Sequence, residues 1–144
     1  MSDQMIRLTI TGALALHGLG HGGALGALLW ICLRPGSNTG GWLAARSWLI
    51  PSLPADTATT LAGVLWIASL VGFVAAAFAF SGVVLPSAAW RPLAVAAAIV
   101  SLSGIVAFMG TWPTFNTLAA LGMNVAVLVA LLWAQWPPQA MFGK

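Results

Sequence analysis

TATTLAGVLWIASLVGFVAAAFAFS, residues 57–81, carries no charged side chain and no proline. Its apolar residues neither alternate like those of a half-exposed strand nor leave the polar stripe of a surface helix. At about 1.5 Å per residue the run is long enough, as a helix, to cross a hydrocarbon core roughly 30 Å thick. Three further runs have the same character, at 8–33, 92–112 and 115–136. All are continuous and rich in Ala and Leu, which favours helices over the period-two strands of a barrel. Their ends carry breakers: RPGSNTGG closes the first run, DTAT supplies capping side chains to the second, RP opens the third, TWPT separates it from the fourth, and WPP stops the fourth. The reading is an all-α integral membrane protein, a bundle of four transmembrane helices in a single domain covering 1–144.

Composition agrees with this class. The chain has 144 residues, 60% hydrophobic and 5% charged, with a mean hydropathy of +0.99, far from soluble usage. The net charge of +3 comes from Arg7, Arg34, Arg46, Arg91 and Lys144 against Asp3 and Asp56. These cations are scattered, so the clustered basic face that nucleic acid requires is missing. The lone Cys32 permits no internal disulfide and belongs to no zinc spacing. The first run follows Arg7 like a signal peptide, but its length, its histidines and the lack of a cleavage site predict that it is retained.

Seven of the eight tryptophans, Trp66 being the exception, fall near predicted helix ends or in connections, as indoles do at the headgroup level. In the first connection, GGWLAARSWL surrounds Arg46 with Trp and Leu, which predicts a short interfacial helix over about 41–50. An even number of spans puts both termini on one side, with Arg7, Arg91 and Lys144 opposite Arg34 and Arg46. That bias places the termini in the cytoplasm. The lipid bilayer is the first expected partner, and other membrane subunits or further copies of the chain the next.

Each helix brings a polar side chain to its midpoint: His21 and His17 in the first, Ser69 in the second, Ser101 and Ser103 about the middle of the third, Asn124 in the fourth. Polar groups in hydrocarbon need partners, so these faces are expected to turn inward together. Spaced by four, the histidines share a helix face with Cβ atoms about 6 Å apart. Three readings of the pair stand: core histidines satisfied by hydrogen bonds, contacts to a ligand or cofactor, and proton handling. A haem held within the chain would use one His with Met109, Met123, water or nothing opposite, because residues one turn apart cannot reach both ring faces. A closed zinc site is underprovided, since the chain contains no Glu and both Asp lie outside the spans. Gly18, Gly22 and Gly26 form GxxxGxxxG, a surface for close helix approach. Gly20 and Gly23 thin the helix on other sides, leaving room for a tetrapyrrole, a quinone head or a lipid. Trp66, one turn from Ser69, either stacks on a ligand held by the histidines or fills the space over the glycines.

Other chemistry is excluded by missing parts. Ion-coupled transport uses intramembrane carboxylates or Arg, and the spans hold neither. A His with Ser69 or Ser101 would lack an acidic orienter as a nucleophilic pair, so the reading leans away from an enzyme.

The segments LHGLGH in the first helix, GVLWIASLVGFVAAA in the second, WRPLAVAAAIVS in the third and TFNTLAALGMNVAVLVALL in the fourth resemble a family of small bacterial four-helix membrane proteins, distantly similar to DoxX-like proteins. His17, Gly18 and His21 match that family's LHGxxH start. Its third-to-fourth turn carries a charged Asp-Ala-Lys-type segment where this chain reads TWPTFN. The resemblance implies the fold and no activity. The expected function is a non-catalytic inner-membrane subunit or binding protein whose cofactor or lipid contacts are His17, His21, Trp66, Ser69, Ser101 and Asn124. The alternative is a stand-alone enzyme or carrier with a midplane pocket for a quinone or lipid.

Overall fold

The computed structural model describes residues 2–34 and 45–138. They form helices α1 (Asp3–Leu33), α2 (Ala55–Ser81), α3 (Trp90–Ala107) and α4 (Thr114–Leu128); a 3₁₀ turn, Ser87–Ala89, leads into α3 and a π-helical stretch, Val129–Trp133, extends α4. All four spans are long and apolar enough to cross a membrane, and the protein is an all-α integral membrane four-helix bundle. Each helix runs antiparallel to the next in the chain. Gly18 and Leu28 of α1 meet Leu70 and Gly63 of α2, Gly72 and Leu65 of α2 meet Ala97 and Gly104 of α3, and Ser101 of α3 meets Asn124 of α4.

Local sequence explains most helix ends. Ser2 accepts a bond from the Met5 amide at the start of α1, and Pro54 and Pro113 stand just before α2 and α4. Gly82, at φ 72°, closes α2 with its N–H on the Phe78 and Ala79 carbonyls. The third helix ends at Ala107 rather than near 112. Gly110 turns out of the helical region at φ 89°, and Pro113 disfavours helical geometry at Trp112. No interfacial helix is present at 45–50, and the rest of the expected 41–50 segment lies outside the described residues. Residues 45–54 fold back onto the bundle: Ala45 is fully buried, and the Trp48 indole N–H donates to the Val106 carbonyl at the end of α3.

The helices differ in length, and this decides where their ends fall. By residue count α1 is about 46 Å long and α3 about 27 Å. The α3–α4 turn therefore lies at a level where α1 and α2 still continue, and Trp112 packs in a core cluster with Ala24, Leu28, Ala58, Ala62 and Trp66. Trp112 and Trp90 are thus core residues, 9% and 3% exposed, and not the headgroup-level anchors expected from their positions. A second cluster at the other end joins Leu14, Phe73, Phe80, Trp90, Ala94 and Leu131.

The four interfaces are unequal. Helices α1–α2 and α2–α3 share the most extensive contacts, α3–α4 share fewer, and α1 and α4 meet sparsely. Glycines set the closest approaches: a Cβ on Gly72 would sit 2.8 Å from Ala97 Cβ, and one on Gly18 would sit 3.1 Å from the Leu70 carbonyl oxygen. The bundle is consequently an arc with a seam between its first and last helices.

Candidate functional site: a polar chain beside an open seam

Between the two apolar clusters lies a polar layer built from α1, α3 and α4. His17 Nε2 donates to Asn124 Oδ1 at 3.0 Å. The Asn124 amide nitrogen donates to Ser101 Oγ at 2.7 Å, and the Ser101 hydroxyl closes on His21 Nε2 at 3.0 Å. Four of the six residues singled out from sequence are therefore linked in one chain, His17–Asn124–Ser101–His21. Three of them are sealed, with Asn124 and Ser101 0% and His21 2% exposed. His17 is half-buried.

Donors and acceptors in this chain fix one another. With Asn124 Oδ1 accepting, His17 carries its proton on Nε2. With Asn124 donating to Ser101, the serine's own proton points at His21 Nε2, which leaves the His21 proton on Nδ1. Turning the Asn124 amide over reverses every donor and moves both imidazole protons to the opposite nitrogen. His21 Nδ1 is buried without a hydrogen-bond partner among the described residues.

The two remaining candidates lie outside the chain. Ser69 is fully buried, but its hydroxyl bonds the Leu65 carbonyl of its own helix at 2.7 Å, the back-bonding a helical serine can always make. Trp66 packs against Trp112, ring centroids 5.2 Å apart, and near Gly104 of α3; neither the histidines nor the α1 glycines lie beneath it. Its indole N–H is buried without a partner among the described residues. Of the α1 glycines, Gly18 and Gly22 face Leu70 of α2, whereas Gly20, Gly23 and Gly26 have nothing within 4 Å of a Cβ position.

Aromatic rings flank the pair. The histidine rings stand 5.1 Å apart, and Phe73 lies edge-on to His17 at 4.5 Å. Trp112 is 5.6 Å from His21. Trp112 and Phe73 are absent from the sequence reading of the site. Trp112 read as a helix end, and nothing in a uniformly apolar run distinguishes Phe73 from Phe78 or Phe80.

Two cavities follow the α1–α4 seam, one on each side of the His17–Asn124 bond. One, about 190 Å³, is bordered by His17, Gly20, His21, Trp112, Phe115 and Asn116. The other, about 260 Å³, is lined by apolar groups that include Ile10, Leu14, Trp90, Met123, Val127 and Leu131. No Lys, Arg, Asp or Glu borders either. No three His, Cys, Asp or Glu side chains gather among the described residues in a way that could hold a metal. Met123 lies in the apolar cavity and Met109 is exposed. Ser101 and His21 have the spacing of a nucleophile and base, but Ser101 is fully buried, and the third group, Asn124, contacts the serine and not the His21 imidazole.

Compared with protein-family models, with curated proteins and with solved structures, the chain finds no match in any of the three.

Proposed function

We propose that this chain is a small, non-catalytic membrane protein that binds the uncharged polar head of a membrane amphiphile in the α1–α4 seam, with His17 as the polar contact. The carrying observation is the state of His17. Its Nε2 is anchored by Asn124, its ring borders a cavity of about 190 Å³, and Nδ1 is the ring nitrogen left to meet a ligand. A histidine serving only as interhelical glue has no need of a cleared space beside it, and Gly20 keeps that space clear. A tetrapyrrole suits the site less well, because the cavity beside His17, about 190 Å³, has room for a single ring and not for a macrocycle.

The resemblance to small bacterial four-helix proteins and the Arg7, Arg91 and Lys144 bias support a bacterial inner membrane with both termini cytoplasmic. A role as a subunit of a larger assembly draws support from Gly23 and Gly26, which leave a slender outward face on α1. Stable protein partners after gentle detergent extraction would support that second reading, and recovery as a lone homo-oligomer would count against it.

The direct test is solvent extraction of the detergent-purified protein followed by mass spectrometry and an absorbance spectrum. A neutral amphiphile is expected in the wild type and not in His17→Phe. An extract with no such compound, from protein that also fails to take one up when it is added, overturns the proposal.

A further inference from the structure

Resting on that reading, we infer that the head is a neutral six-membered ring bearing carbonyl or hydroxyl oxygen, the quinone and quinol class, and that the His17–Asn124–Ser101–His21 chain accepts both redox forms by reversing its direction.

Size and charge select the head. A dry cavity of about 150 Å³ takes up a benzene ring, so the about 190 Å³ beside His17 matches one substituted ring. Trp112 and Phe115 offer it aromatic walls, and Gly20 offers a surface without a side chain. A phosphate head would enter a cavity bordered by no cation, where an unpaired charge is heavily penalised. Neutral heads escape that cost.

The polar chain then meets a particular demand of this class. A quinone presents oxygen acceptors, whereas its quinol presents O–H donors. In the direction described above, His17 donates through Nε2 to Asn124 and offers a lone pair at Nδ1, which suits a quinol hydroxyl. With the Asn124 amide turned over, Asn124 donates to His17 Nε2, the histidine proton sits on Nδ1, and the ring donates to a quinone carbonyl. Ser101 then donates to Asn124 and accepts from His21 Nε2. Both directions keep the three hydrogen bonds and the neutrality of both imidazoles. They differ only in which nitrogen of each imidazole holds the proton. Because an amide passes on orientation without passing a proton, the binding event at His17 is registered at His21, three hydrogen bonds further along the chain.

The chain contains two histidines, so protein labelled with ¹⁵N in the imidazoles has four ring-nitrogen signals, each reporting protonated or bare nitrogen. The probes are a short-tail benzoquinone, its quinol under anaerobic conditions, and a short-chain phosphatidylglycerol. Both redox forms are expected to bind, with the His21 proton on Nδ1 in the quinol complex and on Nε2 in the quinone complex. In Ser101→Ala the His17 signals should still follow the redox form while those of His21 no longer do. Binding of both forms with an unchanged His21 tautomer overturns the reversing chain and leaves the amphiphile site standing. Uptake of the phosphatidylglycerol in place of either ring compound overturns the ring assignment. Binding of none of the three overturns both this inference and the reading beneath it.

Discussion

Helix α1 faces two neighbours with opposite economies of space. Toward α2 it is pressed so close at Gly18 that a single added carbon would sit 3.1 Å from a backbone oxygen, Phe73 Cβ and Val74 Cγ2. Toward α4 it is held by the His17–Asn124 bond, with a cavity on either side, and Gly20 has nothing within 4 Å. Two glycines two residues apart therefore do different work. In lipid there is little hydrophobic gain from pushing helices together, so association depends on backbone proximity and on polar bonds. The α1–α2 interface uses the first and the α1–α4 seam the second. An interface made by a side-chain bond can remain open beside it, which a glycine-packed one cannot.

The largest expected effect comes from breaking the close side. Gly18→Leu must displace the Leu70 backbone or Val74, and overpacking of this kind costs about 1–3 kcal/mol or more; a large fall in thermal unfolding temperature in detergent is the expected outcome. An unchanged melting temperature would show that α1 and α2 are not close-packed there. An intermediate effect follows from cutting the seam's bond. Asn124→Leu removes two hydrogen bonds and leaves His17 and Ser101 without those partners, for a destabilisation of about 1–2 kcal/mol, together with loss of amphiphile from the extract. Retained amphiphile would sink the assignment of His17 orientation to Asn124. The smallest effect on stability belongs to Gly20→Leu. Its side chain enters free space, and the helix gains about 0.8 kcal/mol in propensity, so melting should hold or rise while amphiphile uptake is lost. Loss of stability together with uptake would instead mean that the cavity beside Gly20 is filled by the bundle itself.

The polar layer shows how legible this site is from the chain alone. One polar side chain near the middle of each apolar run is a pattern visible in sequence, because a buried polar group in a membrane must find a partner and other mid-span residues are the ones at its depth. That argument brings His17, His21, Ser101 and Asn124 together, as the hydrogen bonds do. It extends equally to Ser69, which instead bonds its own helix. A serine has that local option and an imidazole or amide reaches further, so depth alone does not separate them. Trp66 illustrates a different limit. Its depth is right, but its indole turns toward Gly104 and Trp112, and rotation about a helix axis is not encoded by a run that is apolar on all sides.

Spanning length, helix in preference to strand, and most boundaries were determined by sequence alone, because hydrocarbon forces each segment to satisfy its own backbone and breakers mark where that ends. The tertiary structure decided which faces meet. The shorter α3–α4 hairpin draws Trp112 inward to His21, and a close α1–α2 contact at Gly18 coexists with an open seam at Gly20. With lipid and protein interior equally apolar, hydropathy carries no signal for facing. Only the packing of small residues and the pairing of the polar groups make that choice.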